Sequence, residues 1–229
     1  MPTPNYALTW DVLEDRLLEA GVDHGVLYVQ ENGAYPNGVV WNGLTGVTEN
    51  PSGADSNDFY ADNIKYASMR AAETYGATIE AYTYPDEFEE CDGSAEIAPG
   101  VMAGQQARKP FGFSFRSKVI SAANPEDESA YKLHLIYGAT ASPSSRGYQT
   151  VNESPDAITF SWEITTVPVN VAGYKPTASL TIDTTKLSTA EKEKLAALEQ
   201  ILYGTPASGN DPAVAPRLPL PDEIISTMS

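Results

Sequence analysis

Histidine, cysteine and carboxylate side chains are the groups in this sequence that could hold a metal or catalyse a reaction. The two histidines, His24 and His134, are 110 positions apart, and neither belongs to an HExxH, HxH or CxxC pattern. Zinc ligands typically include a pair at short spacing, and this sequence offers none, so we predict no metal-binding residues. Cys91 is the only cysteine and can form no internal disulfide, which fits a reducing compartment without proving one.

The acidic residues do not form a recognisable calcium or catalytic motif. Residues 55–66 begin like a calcium-binding loop, but the sixth position is Tyr60 instead of glycine and the twelfth is Tyr66 instead of glutamate. The sequence contains no GxSxG, GxxxxGKS, GxxxxGKT or GxGxxG motif. A catalytic carboxylate pair has no fixed spacing and stays possible. We nevertheless expect a protein that is not an enzyme, with no catalytic or cofactor-binding residues and no cofactor.

The charge of the chain is strongly negative and unevenly distributed. The formal net charge is −17, and residues 1–100 hold 18 acidic and 3 basic residues, a net of −15. Such a surface repels nucleic-acid phosphates, so ordinary DNA or RNA binding is disfavoured; solubility alone is an alternative explanation of the charge. No run of 18 apolar residues occurs, and the N-terminus shows no secretory signal. We therefore expect neither a transmembrane helix nor membrane binding.

The elements that would position functional residues are mainly β-strands. In residues 111–120, Phe111, Phe113 and Phe115 alternate with polar residues, which predicts a sheet with one buried and one solvated face. The predicted strands cover residues 25–30, 39–47, 59–67, 76–84, 111–120, 131–137, 158–164 and 178–183.

Two helices are predicted at the ends of this β-rich region. Residues 11–20 form a short helix capped by Asp11. Residues 188–203 begin with the capping box Ser188 to Glu191 and carry one stripe of leucines. The sequence therefore predicts a mainly β protein of the α+β type with a flanking helix near its C-terminus.

One domain is the simplest organisation. We predict a β domain over residues 1–204, in which residues 1–24 are an N-terminal arm or short helix and residues 86–104 are a long acidic connection. Residues 205–229 carry five prolines, and we predict that they form an extended C-terminal tail.

Ordered blocks of the sequence, and not one short motif, resemble the major tail tube proteins of long-tailed, siphovirus-type bacteriophages. The resemblance covers roughly residues 9–204. It rests on GVLY (25–28), GVVWNGLTGVTE (38–49), YADNIKY (60–66), GATIEAYTYP (76–85), Phe88, CDG (91–93), GQQ (104–106), HLIYG (134–138), ITFSWE (158–163) and TID (181–183).

The resemblance implies a two-sheet β sandwich whose strands join those of neighbours in an inner β-barrel. Six copies would form a ring, and rings would stack around a tape measure protein into a hollow tube that conducts DNA during ejection. The implied partners also include the tail terminator and distal tail proteins. The implied location is the tail of a virion, assembled in the host cytoplasm. Closure into a barrel would remove sheet edges that a single copy exposes.

An acidic lumen would let DNA slide, because carboxylates repel phosphates. By strand alternation we predict that Thr78, Glu80 and Glu163 face this lumen. Each could instead lie on the outer surface, since a strand has only two faces.

A cluster of cations in an otherwise acidic chain suggests contacts between rings. Arg108, Lys109, Arg116 and Lys118 are the predicted inter-ring residues. They would meet the acidic residues of the segments 49–62 or 86–96 in a neighbouring copy, through pairs that are individually weak.

Two alternatives stay open at this point. One is the inner-tube protein of a contractile injection system. The other is a secreted carbohydrate-active β sandwich, which predicts a monomer, a signal peptide and an aromatic platform on one face.

Overall fold

The computed structural model describes residues 8–127, 129–148, 150, 157–209 and 212–229. Fourteen strands are assigned: β1 (Leu17–Val29), β2 (Val39–Val40), β3 (Leu44–Glu49), β4 (Ser52–Gly53), β5 (Ser56–Ala61), β6 (Ile64–Arg70), β7 (Glu73–Thr74), β8 (Gly76–Ala81), β9 (Ala95–Ala98), β10 (Val101–Ala103), β11 (Phe111–Ser121), β12 (Tyr131–Ala141), β13 (Phe160–Thr166) and β14 (Ser179–Asp183). The α-helices are α1 (Glu89–Asp92), α2 (Thr189–Tyr203) and α3 (Pro221–Met228). Single 3-10 turns cover Leu13–Asp15, Asp86–Phe88 and Thr184–Lys186.

One antiparallel sheet of eight strands organises the molecule. Its order is β2-β1-β11-β12-β13-β8-β3, and β14 pairs with β12 beside this path. The N-terminal half of β12 pairs with β14, whereas Ala139–Ala141 pair with β13. Gly138 separates the two halves and has a φ of +58°, with the carbonyl oxygen of Val167 where a Cβ would stand. A glycine is therefore required where the sheet divides.

Side chains from both ends of the sheet meet in one shared core. Leu27 of β1, Ile79 of β8, Phe113 of β11 and Trp162 of β13 belong to this buried cluster, which also contains Trp41. Because strands that are distant in the sheet share this cluster, the sheet folds back on itself as a sandwich. The predicted mainly β sandwich is confirmed.

A second core lies on the opposite face of β12, under α2. The leucine stripe of α2 packs with Leu133, Leu135 and Tyr137. The helix begins as the capping box predicts, since Ser188 Oγ accepts from the Glu191 amide and the Glu191 carboxylate accepts from the Ser188 amide. The predicted C-terminal helix is thus confirmed, and β12 is buried on both faces.

The prediction of an extended tail over residues 205–229 is wrong. Leu218 and Ile224 are buried in the second core, and α3 begins with Pro221 in its first turn, where proline costs no hydrogen bond. The tail follows the domain surface, because the Leu218 amide donates to the Tyr35 carbonyl and the Tyr137 hydroxyl donates to the Pro219 carbonyl. Residues 205–209 and 212–229 therefore form a strap that seals the core.

The helix predicted over residues 11–20 is also wrong. Only Leu13–Asp15 form a 3-10 turn, and β1 begins at Leu17. Leu17 pairs with Ser121 and Ala20 with Lys118, so ladder hydrogen bonds to β11 replace the local helical ones. The connection 86–104 is partly ordered, since Phe88 and Cys91 anchor it in the core and β9 and β10 form a hairpin.

Candidate functional site

The side chains that could support catalysis or metal binding do not converge. His24 Nδ1 lies 2.8 Å from the Asp23 carboxylate, whereas His134 stacks on Phe115 with its Nε2 2.9 Å from Ser117 Oγ. Burial lowers the pKa of His134 and raises the pKa of Cys91 to about 12, which keeps the thiol protonated at neutral pH. Within the described ranges, no three His, Cys, Asp or Glu side chains are grouped to hold a metal ion.

The three predicted lumen residues lie together on one exposed face of the sheet. Glu163 of β13 pairs directly with Thr78 of β8, and Glu80 lies two positions further along β8. Alternation buries Ile79 and Trp162 in the core and leaves both carboxylates exposed on the opposite face. The structure thus gathers these residues into one acidic and hydroxyl-bearing face on β8 and β13; their exposure to a lumen stays a prediction.

The predicted inter-ring cations are engaged within their own chain. Arg116 Nη2 lies 2.6 Å from Glu199 Oε1, and its guanidinium lies 4.3 Å from the ring centroid of Tyr131. This arrangement joins β11 to α2. Its exposed side-chain fraction is only 16%, so little of Arg116 is accessible to another copy.

The other three cations also have partners in the same copy. Arg108 Nη1 donates to the Ala141 carbonyl at 3.1 Å, and Lys109 pairs with Glu90. Lys118 likewise has an interaction partner. A contact of these residues with a neighbouring ring stays a prediction, and it would require each of them to share or exchange its present partner.

The most exposed ordered element was only half predicted from the sequence. Residues 59–67 were predicted to be one strand, but β5 and β6 form a hairpin that turns at Asp62 and Asn63, both with positive φ. All residues of both strands are exposed, and β5 and β6 pair only with each other among the described residues. The Asp-Asn dipeptide between alternating strands is the signal that could have located the turn.

The hairpin has one apolar and one polar face. Phe59 opposes Ala67, and Asn57 opposes Met69, with Ile64 opposite Ala61 on the same face. The exposed fractions are 49% for Phe59, 63% for Ile64 and 64% for Met69. We call these three side chains the apolar face of the hairpin.

Polar contacts occupy the other face of the hairpin. Lys65 Nζ lies 2.7 Å from Asp58 Oδ1, and Ser68 donates to the same carboxylate at 2.8 Å. Tyr60 opposes Lys65 on this face. The amphipathic pattern is that of a sheet with a core on one side, but the part of the chain that the structure describes supplies no core for it.

Comparisons with known proteins leave the family of the chain open. No family model and no curated protein matches the sequence. Among the solved structures that are similar over part of the fold is an extracellular contractile injection system, the PVC sheath–tube complex in its extended state. That chain is 11% identical, the match covers 70% of this chain and 89% of the other, and the TM-score is 0.32. A likeness at this level carries no argument about function. Among the described residues, no helix is long and apolar enough to span a bilayer.

Proposed function

We propose that this chain is the structural subunit of a phage-tail-type tube, in which copies assemble as stacked rings into a hollow conduit for DNA. The observation that carries the proposal is the amphipathic hairpin β5–β6, which projects with its apolar face uncovered. The resemblance of the sequence blocks to tail tube proteins of siphovirus-type phages supports the same function. The protein would have no catalytic role and no cofactor.

An uncovered apolar face on a two-stranded hairpin is unfavourable in water. A hairpin of two strands is only marginally stable alone and normally packs against further strands or a helix. Full burial of a Phe, Ile or Met side chain is worth about 1.5–3 kcal/mol, so covering Phe59, Ile64 and Met69 would stabilise an assembly. Since none of the described residues of its own chain forms a core against the hairpin, we infer that a second copy covers it.

The face that bears Thr78, Glu80 and Glu163 would form part of the lumen wall. Two carboxylates and a hydroxyl on neighbouring strands hold DNA phosphates at a distance by repulsion. Without lysine or arginine to bind the backbone, passing DNA would meet few sites that retain it. In a hexameric ring the adjacent strands of six copies would repeat this face around the channel.

The remaining partners follow from the same proposal. A tape measure protein would fill the lumen before DNA passes, and terminator and distal tail proteins would close the two ends of the tube. The assembled protein would be found in the tail of a virion after assembly in the host cytoplasm. No membrane binding is proposed.

Electron microscopy of variants with single substitutions in the hairpin tests the proposal. We expect concentrated wild-type protein to form rings or hollow tubes in negative stain. Phe59→Ser should reduce the assembled fraction by about tenfold, because the apolar face loses its largest side chain at a repeated contact. Sedimentation of the polymer gives the assembled fraction, and circular dichroism shows whether the monomer is still folded.

Tyr60→Ser is the matched control. Tyr60 is also an exposed aromatic residue, at 70%, and it is adjacent to Phe59 but on the polar face. It should leave assembly nearly unchanged. Wild-type protein that remains monomeric at every concentration, even with preformed tube ends added as seeds, would contradict the proposed function.

A further inference from the structure

A cavity at the base of the hairpin holds two cations that have no carboxylate partner among the described residues of this acidic chain. The cavity has a volume of about 720 Å³ and is lined by Arg70 at the end of β6, by Lys175, and by Tyr75 just before β8. Within the residues that the structure describes, neither the Arg70 side chain nor the Lys175 side chain makes a hydrogen bond or an ion pair. Among the described residues that line the cavity, Glu73 is the only carboxylate. We call this site the cationic cavity.

A groove of opposite charge lies elsewhere on the surface. Its volume is about 610 Å³, and the one cation in the described part of its lining, Lys109, is already paired with Glu90. The other carboxylates in its lining are Glu31, Asp86, Glu87, Glu89 and Glu96. We call this site the acidic groove.

The two sites lie at opposite ends of the same strands. Tyr75 of the cationic cavity directly precedes β8, whereas Asp86 of the acidic groove follows the end of β8. The neighbouring strand β3 runs antiparallel to β8 and gives the same placement. Val39 of the groove precedes β3, and Ala54 of the cavity follows it. About 20 Å of strand therefore separates the sites, and a single copy cannot bring them together.

Complementary surfaces at opposite ends of a subunit produce a head-to-tail contact. Such an interface is heterologous: each copy uses one site on the copy before it and the other site on the copy after it. Contacts of this kind build an open filament or tube when the rotation between successive copies does not close them into a ring. Two unpaired cations facing five carboxylates also fix the polarity of the contact, because like ends repel.

We propose that the acidic groove of one copy docks against the cationic cavity of the next, with Arg70 and Lys175 opposite Glu31 and Glu87. The inference rests on the proposed function and adds the residues that set the direction of stacking. It places the intersubunit cations at the hairpin base. The apolar face of the same hairpin would be buried beside this contact. Charge would then set the orientation in which copies dock, and apolar burial would stabilise the contact.

Charge reversal on each side, alone and combined, tests the contact. Arg70→Glu with Lys175→Glu gives a copy that is acidic at both ends, and Glu31→Lys with Glu87→Lys gives a copy that is basic at both ends. Each double variant alone should form at least about tenfold less polymer than wild type, because like charges oppose each other at every contact. An equimolar mixture of the two, and a single chain carrying all four changes, should recover polymer. Recovery on mixing also shows that both variants are folded.

Lys186→Glu with Lys192→Glu is the matched control, since it changes the net charge equally at exposed positions away from the cavity. It should assemble like wild type. Wild-type polymer should also shorten as NaCl rises from about 50 mM to about 500 mM, because salt screens exposed pairs. If both double variants polymerise as the control does, or if the mixture does not recover, the docking proposal is overturned while the tube function stands. If wild type and every variant remain monomeric, the tube function itself fails.

Discussion

The central strand β12 and the hairpin β5–β6 use the same antiparallel pairing but differ in what covers them. Strand β12 has a core on each face, with Ile136 in one and Leu135 in the other. The hairpin has Phe59, Ile64 and Met69 in water on one face and one ion pair, between Lys65 and Asp58, on the other. The difference shows that hydrogen-bonded strands do not by themselves make a stable domain. In one copy of this chain, stability lies in the sandwich and its helix, and unsatisfied apolar surface lies in the hairpin.

Truncation of one apolar side chain in each region should give the largest difference in the free energy of unfolding. Leu198 of α2 is fully buried in the second core, so Leu198→Ala should lower the free energy of unfolding of the monomer by about 2–5 kcal/mol. Phe59→Ala should change it by less than about 0.5 kcal/mol, because no surrounding core is lost. Urea denaturation under non-assembling conditions measures both values.

Equal effects of the two truncations would contradict this contrast. A large loss for Phe59→Ala would mean that the hairpin is already covered within one copy, and the argument for assembly would lose its main observation. Val40→Ala provides a second exposed reference, since Val40 is 61% exposed in a two-residue strand.

An ion pair from each region should show the same difference between the sandwich and the hairpin, with a smaller effect on the free energy of unfolding. Glu199 accepts from both Arg116 and the Tyr131 hydroxyl at 2.6 Å, beneath the rings that cover the guanidinium. Glu199→Gln leaves a largely buried cation without its counter-charge and should cost about 1–3 kcal/mol. A double-mutant cycle with Arg116→Met should give a coupling near 1 kcal/mol.

The pair of Lys65 and Asp58 on the hairpin is the matched control for this cycle. It has good geometry, at 2.7 Å, but lies in water, and we expect no measurable coupling in the monomer. Coupling as strong as that of Arg116 and Glu199 would show that exposure to water does not weaken the hairpin pair, which would contradict the comparison.

Local signals in the sequence were sufficient where the structure depends on neighbouring residues. The capping box at Ser188 specified the start of α2, and the alternation of 111–120 located β11. Parity along single strands also separated Glu80 and Glu163 from the core residues beside them. That Glu163 and Thr78 are cross-strand partners needed the three-dimensional register, because their strands are 85 positions apart.

Distant contacts explain what the sequence did not predict. The N-terminal part of β1 is a strand because it pairs with β11, about a hundred positions later. The C-terminal strap is ordered because Leu218 and Ile224 enter a core made by β12 and α2. Arg116 was predicted to face another ring, but its partner Glu199 is 83 positions away on the helix that covers it. The composition of these segments shows only that they are rich in proline or charge. Their positions in the fold follow from contacts with distant residues.

A pH comparison of the strap should give the smallest effect. Glu223 of α3 accepts from Arg217 Nη1 at 2.8 Å, and this hydrogen bond holds the pKa of Glu223 below its ordinary value. A carboxyl with a lowered folded-state pKa contributes stability above its unfolded pKa of about 4.3, and this contribution is lost as pH falls through the folded pKa. Both side chains are more than 40% exposed, so screening by water limits the contribution to a few tenths of a kcal/mol, about 0.3. Wild type should therefore exceed Arg217→Met in unfolding free energy at pH 7 and lose this advantage as the pH falls below the unfolded pKa of about 4.3 and through the lower folded pKa. Because the other carboxylates titrate equally in both proteins, the difference in unfolding free energy between wild type and Arg217→Met reports on the strap alone. A difference that grows as pH falls would show that Glu223 does not hold α3 through its charge.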